Sequence, residues 1–329
     1  MPEELVLIDP EIIALSERRE NAVTELEGHV AEFMELEKKE THEEVLYHQL
    51  LAIVHRICAA ILICERAELT RDEIVHILEP VRRVHARSPF VARLQQWPRG
   101  YPGDFETVEY LVSGTNQAQD PLARSCEAYA LSRAIAQQHR NKVQHQAMRI
   151  VRTMLSNPGH TRIASIACGS CPDLRSIREQ LPGLAGEIWL NDIDADALKF
   201  SRKTLSNIAQ KVSVREGDAI SATRHLPRGE FDLVLAGGLF DYLDDRSATL
   251  LIQMAYRLLV AGGVFFFTNI AAGNPYRPLI EYFGNWSLRE RTEEEIYLLC
   301  EQAGIGRGNV AIRREETRLA LLIEVTKLQ

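Results

Sequence analysis

Residues 161–198 restrict the fold of this chain more than any other stretch. A β-branched strand from Ile163 to Ile166 runs into a turn at Gly169, a helix opens at Pro172, and a second strand ends at Asp192, about twenty residues after the turn. In α/β folds this order of elements forms an adenosine site, because glycine lets a ligand approach the backbone and the acid accepts hydrogen bonds from ribose hydroxyls. The stretch therefore predicts a nucleoside site in an α/β domain.

The composition of the turn separates the possible adenosine ligands. A dinucleotide site requires G-x-G-x-x-G, so that a pyrophosphate can approach the backbone. Here those spacings hold Ala167, Gly169 and Pro172, which disfavours a pyrophosphate but is compatible with S-adenosylmethionine, whose methionyl group carries no phosphate. Asp218, after a third strand-like run, stands where methyltransferases bind adenine. We therefore expect S-adenosylmethionine as cofactor; the alternative is an α/β domain whose glycine turn binds nothing.

Composition and charge narrow the classes of function. The 329 residues are 46% hydrophobic and 26% charged, as in soluble globular proteins of up to two domains. A net charge of −8 argues against a nucleic-acid partner, which requires a basic face. The N-terminal MPEELVLIDPE is acidic without a long apolar core, which predicts no signal peptide, and the apolar run Ala59 to Cys64 is too short for a membrane span. We expect a cytoplasmic protein.

The six cysteines include one C-x-x-C, formed by Cys168 and Cys171. Such a pair is typical of redox sites and of half zinc sites, but no second C-x-x-C or His-x-x-x-His completes a metal set. Because the pair lies inside the nucleoside turn, we interpret both residues as small side chains that pack this turn. We predict no metal site.

The first part of the chain, residues 1–120, predicts an all-helical domain with helices over Glu11–Glu40, Val45–Leu62 and Thr70–His85. Its last segment, WPRGYPGDFETVEYL, is either a hinge or a lid over the site, and in the second case Tyr101 and Asp104 touch the cofactor. Residues 121–156 predict one long helix that bridges to the next domain. The N-terminal helices are also candidates for a homodimer contact.

Residues 157–329 alternate strands and helices, which predicts a parallel sheet with helices on both faces. The strands are expected at 163–167, 187–191, 211–215, 231–236, 263–268, 309–314 and 318–326, and the helices at 172–181, 195–209, 247–260 and 291–303. Only a few polar residues separate the last two strands, so they predict a hairpin. The fold class is α/β, a Rossmann-like class I methyltransferase sheet, parallel with an antiparallel last strand, plus the helical N-terminal domain.

Polar residues follow the fourth strand at the carboxyl edge of the sheet, where open α/β sheets bind ligands. Gly237 and Gly238 leave room for reacting groups, and Asp241 and Tyr242 are candidates to face the methyl donor or acceptor. Asp241 has a second interpretation as the cap of the following helix.

Three segments, ACGSCPDL, GGLFDYLDDR and NPYRPLIEYFGNWSLRERTEEE, resemble bacterial class I methyltransferases with helical N-terminal extensions, among them enzymes that make methyl 3-hydroxy fatty-acid quorum signals. RGYPGDFETVE at 99–109 is similar to the same group, so the resemblance covers residues 97–326. It implies methyl transfer to a small molecule and leaves the acceptor open. The turn departs from the consensus at Ala167 and Cys171.

The acceptor decides which catalytic groups are needed. A carboxylate is ionised at neutral pH and needs a cation, for which Arg277, Arg289 and Arg291 are candidates. Arg289 and Arg291 have the alternative of pairing locally with the acids at Glu293 to Glu295. A hydroxyl, amine or carbon acceptor needs a base; the available groups are Asp241, Tyr242, Glu281, Tyr282 and His225, of which His225 is expected to be exposed.

The leading hypothesis is an S-adenosylmethionine-dependent methyltransferase that acts on a small molecule, with a fatty-acid-like carboxylate, converted into a methyl ester, as one candidate acceptor and with Asp241, Tyr242 and Arg289 as catalytic candidates. The residues expected to bind the cofactor are Tyr101, Asp104, Ala167, Cys168, Gly169, Asp192, Ile193, Asp218, Ala219, Gly237 and Gly238. Other hypotheses are an O-, N- or C-methyltransferase of a specialised-metabolite pathway, a non-catalytic sensor of the nucleoside, and a redox oxidoreductase.

Overall fold

The computed structural model describes residues 10–38 and 42–328. Its helices are α1 (Pro10–Leu36), α2 (Glu43–Arg66), α3 (Arg71–His85), α4 (Pro89–Gln96), α5 (Phe105–Ser113), α6 (Pro121–Ser132), α7 (Ala134–Ser156), α8 (Pro172–Ser176), α9 (Ala195–Thr204), α10 (Ala219–Arg224), α11 (Asp245–Leu258) and α12 (Glu293–Gln302). Its strands are β1 (Thr161–Ile166), β2 (Gly186–Asp192), β3 (Val212–Glu216), β4 (Phe231–Ala236), β5 (Leu259–Ile270), β6 (Val310–Arg314) and β7 (Ala320–Thr326). The prediction about a signal peptide rests on residues 1–11, most of which lie outside the described part.

The chain divides into two units that are not continuous in sequence. The first unit comprises the described parts of Met1–Gly103, together with Thr115–Ser132 and Pro275–Ser287. The second comprises Asp104–Gly114, Arg133–Asn274 and the described part of Leu288–Gln329.

The first unit is helical, built from α1 to α4, α6 and a π-helical turn at Leu279–Phe283. The predicted apolar face of α2, which includes Leu50, Ile57 and Ile61, is buried in its core, as its spacing of three and four residues requires. By length and a mean hydropathy of 1.6, α2 also passes the test for a membrane-spanning helix, a test that core helices of globular proteins pass as well. The absence of a membrane span stays a prediction.

The prediction of one helix over residues 121–156 is wrong, because the chain forms two helices there. Ser132 ends α6, and Arg133 has an extended conformation (φ −69°, ψ 155°) before α7 begins. The Ser132 hydroxyl donates to the carbonyl of Tyr129, which is the local hydrogen bonding by which serine competes with a continuing helix. The break places α6 in the first unit and α7 in the second.

The second unit contains a seven-stranded sheet with the order β3-β2-β1-β4-β5-β7-β6. Strands β1 to β5 pair in parallel, and β7 is antiparallel to β5 and to β6, which confirms the predicted sheet and its final hairpin. Helices α8 and α9 are shorter than the predicted 172–181 and 195–209, and α10 was not predicted. Since parallel strands share their direction, β1, β2, β3 and β4 present their carboxyl ends at one edge.

Candidate active site at the carboxyl edge of the sheet

The chain leaves β1 through a tight turn, Ala167–Cys171, here called the β1 turn. Its residues Ala167, Gly169 and Cys171 have φ angles of 49°, 54° and 50°. Glycine adopts this left-handed conformation freely, whereas alanine and cysteine each pay on the order of 1–2 kcal/mol for it. This strained backbone directs the N–H of Gly169 to a carboxylate oxygen of Asp192 at 2.7 Å.

Asp192 ends β2 and is 7% exposed. One carboxylate oxygen accepts from Gly169, and the other accepts from the N–H of Asp194 at 2.9 Å. Burial raises the pKa of this carboxyl, and the two backbone hydrogen bonds oppose that rise. Each oxygen keeps a second lone pair, so the carboxylate fits the predicted task of accepting from ribose hydroxyls. The side chain of Ile193, the next predicted contact, is exposed beside it.

The end of β3 is fixed to the end of β2 by Asn191, a residue that the sequence did not single out. Its amide donates to the carbonyls of Arg215 and Gly217, and the N–H of Gly217 donates to the carbonyl of Asp192. These bonds set the position of Asp218, which is exposed and accepts from the N–H of Ser221 as the N-cap of α10. Ala219 is the first residue of that helix, so the two predicted adenine contacts follow β3 directly.

The two cysteines of the β1 turn are free thiols. The pKa of Cys168 is raised well above its ordinary value, first by a hydrogen bond with Cys171 and then by burial. Since the thiolate is the reactive form of cysteine, this site disfavours redox chemistry. Cys171 is fully buried against the apolar core below the sheet, as expected for packing residues.

Helix α5 forms a wall beside the β1 turn. Its N-cap is Asp104, a predicted cofactor contact, which is buried and accepts from the N–H of Thr107 at 2.9 Å. The carboxylate of Glu109 accepts from the hydroxyl of Ser170 and, at 2.7 and 2.8 Å, from the guanidinium of Arg175. No sequence pattern predicted this contact. Tyr101, the other predicted lid residue, belongs to the first unit.

The two glycines after β4 differ in their surroundings. A Cβ on Gly237 would lie 2.1 Å from the side-chain oxygen of Gln146 in α7. The sequence predicted that this glycine leaves room for reacting groups, but in the structure it leaves room for the glutamine side chain. A Cβ on Gly238 would meet no atom within 4 Å. Only Gly238 therefore has the open surroundings that the sequence predicted for both.

Asp241 is 3% exposed and both of its carboxylate oxygens are engaged. One accepts from the N–H of Ile270 at 2.6 Å, and the other lies 3.3 Å from the ammonium of Lys142, which is equally buried. The interpretation of Asp241 as a helix cap is wrong, because Asp244 caps α11 through the N–H of Ser247. Protonation of Asp241 would remove its ion pair with Lys142, so this carboxylate is better placed as the partner of that ammonium than as a base.

The other catalytic candidates near Asp241 differ in their exposure to solvent. Tyr242 is 41% exposed. Arg289 is exposed, and its backbone N–H donates to the carbonyl of Asp241 at 2.8 Å. Arg291 is buried, and its guanidinium donates to the carbonyls of Phe240 and Leu243, to Asn269 and to Asp245. The expectation that Arg291 holds a substrate is therefore wrong. The alternative, a surface pair with Glu293 to Glu295, is wrong for the same reason.

Three further candidates form one cluster in the first unit. Arg277 pairs with Glu65 and with Glu281, and the hydroxyl of Tyr282 donates to Glu65 at 2.7 Å. Their charges are thus compensated within this unit. His225 ends α10 and is exposed. Among the described residues, no group of three or more His, Cys, Asp or Glu side chains could hold a metal ion.

Comparison with known proteins indicates the class of enzyme to which this site belongs. Residues 163–263 match the family model described as a methyltransferase domain. The whole chain is similar in fold to a possible exported protein from Bordetella parapertussis, with 16% identity, a TM-score of 0.56, and coverage of 98% of this chain and 100% of the other. No curated protein matches the sequence.

Two further solved structures have lower TM-scores. A SAM-dependent methyltransferase from Archaeoglobus fulgidus is 18% identical, with a TM-score of 0.43 over 56% of this chain and 94% of the other. A 1,6-didemethyltoxoflavin-N1-methyltransferase from Burkholderia thailandensis is 15% identical, with a TM-score of 0.43 over 57% and 79%.

The family match runs from within β1 to within β5 and contains the β1 turn, Asp192 and Asp218. It confirms the predicted enzyme class, a methyltransferase, with S-adenosylmethionine as cofactor. The individual contacts to that cofactor, and the resemblance to the quorum-signal group, stay predictions.

Proposed function

We propose that the protein transfers a methyl group to the carboxylate of a small aliphatic acid and so forms a methyl ester. The observation that carries this proposal is the buried ammonium of Lys142 at the carboxyl edge of β4. An acceptor carboxylate is already ionised and requires a hydrogen-bonding cation, not a base. The ammonium has three N–H donors, and Asp241 is its one side-chain partner among the described residues, which leaves donors for a substrate.

The candidate residues after β4 are less suited to an acceptor that needs a general base. Asp241, the acid candidate at this edge, would lose its ion pair with Lys142 on taking up a proton. Tyr242 is the remaining candidate there, and an exposed phenol is a weak base at neutral pH. A hydroxyl or amine acceptor, the second hypothesis from the sequence, would depend on this residue.

In this proposal Asp192 holds the ribose, Asp218 the adenine, and the backbone of Ala167, Cys168 and Gly169 the methionyl group. When bound, S-adenosylmethionine would supply a methyl group on a sulfonium; a bond from the acceptor oxygen to the methyl carbon would form as the C–S bond breaks and S-adenosylhomocysteine leaves as a neutral thioether. The residues of the chain then act by position: alignment of two reactants at near-attack distance contributes about 7–11 kcal/mol to such a reaction. Lys142 orients the carboxylate, and Gly238, where a Cβ would meet no atom within 4 Å, leaves space after β4.

The test uses the full-length protein, methyl-labelled S-adenosylmethionine and three acceptors of equal chain length, decanoic acid, decanol and decylamine. We expect label in a base-labile ester from decanoic acid only. Label in the ether or the amine instead would refute the carboxylate acceptor and leave methyl transfer intact. Calorimetry on the same preparation measures cofactor binding, and its absence would refute both.

A further inference from the structure

A cleft between α10 and α11 lies outside the site described above. Its floor is apolar and recessed: Leu226 and Met254 are 8% exposed and Leu258 is 2% exposed. The volume of the cleft is about 240 Å³. Leu250, 37% exposed, forms its outer wall, four residues before Met254 on the same face of α11. We call this the α10–α11 cleft.

The rim of the α10–α11 cleft carries three arginines, Arg224, Arg228 and Arg257. All three are exposed, and no described acid pairs with any of them. The acid nearest to Arg228 in sequence, Glu230, is bonded to Arg162 instead. Other arginines of the second unit, such as Arg175, do pair with carboxylates.

This concentration of positive charge contrasts with the chain as a whole, which has a net charge of −8. Like charges around one cleft repel each other, and a bound anion would relieve that repulsion. Guanidinium groups match the oxygens of phosphates and carboxylates in a bidentate geometry. The rim therefore selects an anionic group, and the floor beneath it selects an aliphatic one.

We propose that the α10–α11 cleft binds an anionic amphiphile free in solution, with one alkyl chain on the apolar floor and a phosphate or carboxylate head among the three arginines. A thin chain fits better than a protein surface, because the apolar floor is recessed and Leu250 alone offers an exposed apolar side chain. The rim residues lie near the start of β4 and the end of α11, at the amino edge of the sheet. The cleft is thus separate from the carboxyl edge that holds the proposed active site.

Methionine-methyl NMR reports on the cleft directly. The chain has five methionines, so a protein labelled at the methionine methyl carbon gives a spectrum that single substitutions can assign, with Met254→Leu identifying the cleft signal. Titration with decyl phosphate below its micelle concentration should shift the Met254 signal and leave that of Met148, which is 45% exposed on α7, unchanged. No shift at Met254 would overturn the proposal.

Matched ligands and variants test separately whether binding needs the anionic head group and whether it needs the alkyl chain. Inorganic phosphate and decanol should each bind at least about tenfold more weakly than decyl phosphate, because each lacks one of the two groups. Arg224→Gln/Arg228→Gln/Arg257→Gln should lose binding, whereas Arg18→Gln/Arg83→Gln/Arg178→Gln, which removes the same charge elsewhere, should keep it. Leu250→Asp should lose binding, and Leu298→Asp, at a similarly exposed leucine of α12, should not.

The remaining outcomes would refute the proposal. Equal binding of inorganic phosphate would reduce the cleft to an anion site, and equal binding of decanol would remove the role of the arginines. Binding to phosphatidylglycerol vesicles without binding to decyl phosphate would identify a membrane surface as the ligand. Unchanged S-adenosylmethionine binding by the variants shows that they are folded.

Discussion

The carboxyl ends of β2 and β4 each present a buried aspartate, but the two are held differently. Asp192, at β2, accepts from residues 23 and 2 positions away, within the motif that the sequence makes visible. Asp241, beyond β4, is held by Ile270 and Lys142, which are 29 and 99 positions away. A local motif therefore predicts the cofactor side of the site, whereas the acceptor side depends on contacts that only the folded chain brings together.

The largest effect is expected on the long-range side, from Lys142→Met. This substitution leaves the Asp241 carboxylate buried without its cation, which costs about 3–5 kcal/mol in the free energy of unfolding. Urea denaturation measures the loss. In Lys142→Met/Asp241→Asn the charge is gone and the asparagine oxygen can still accept from Ile270, so most of the stability should return.

The double variant also separates folding from acceptor binding. If it is folded and binds S-adenosylmethionine but no longer methylates decanoic acid, Lys142 serves the acceptor as proposed. Full activity of the double variant would show that the pair only supports the structure.

The next effect concerns Asp173, at the start of α8 below the β1 turn. Burial raises its pKa to about 6, from an ordinary value of 3.8. A raised pKa means that the folded state binds the proton more tightly than the unfolded state, so this residue adds stability as the pH falls from about 6 to about 4. Relative to Asp173→Asn, the wild type should gain up to about 3 kcal/mol across that window.

Denaturant unfolding of both proteins at a series of pH values checks the Asp173 prediction. Asp196→Asn, at the exposed start of α9, is the control for loss of one carboxyl group. Parallel pH profiles for wild type and Asp173→Asn would contradict the assignment.

On the cofactor side, Asp192→Ala should weaken S-adenosylmethionine binding by about 2–3 kcal/mol, since a charged acceptor of hydrogen bonds is lost. Isothermal calorimetry measures this change. Glu187→Gln, on the same strand at its exposed amino end, is the control. An unchanged affinity in Asp192→Ala would remove Asp192 from the cofactor site.

The difference between local and long-range contacts also explains which parts of the fold and of the site could be predicted from the sequence. Short strand-like runs between helical segments marked each strand of the sheet, and the glycine turn with Asp192 marked the nucleoside side, because both patterns lie within short segments. Lys142 carried no such signal, since it is one polar residue within a long helical pattern and its partner, Asp241, lies 99 positions away, beyond β4. Arg291 was misjudged for a related reason: the acids next to it in sequence suggested a surface pair, but the fold buries it, and it donates to the carbonyls of Phe240 and Leu243, which follow β4.

The smallest effect tests whether the cofactor side is as local as this comparison implies. Glu109 of α5 is bonded to Ser170 and Arg175, which lie 61 and 66 positions away, so the β1 turn also has a long-range support. Glu109→Gln loses the charge of this contact and should weaken S-adenosylmethionine binding by about 1 kcal/mol, while Glu179→Gln, an exposed acid just beyond α8, should not. A lower melting temperature with unchanged cofactor affinity would mean that Glu109 stabilises the fold without positioning the turn, and the local motif would then suffice for the cofactor side.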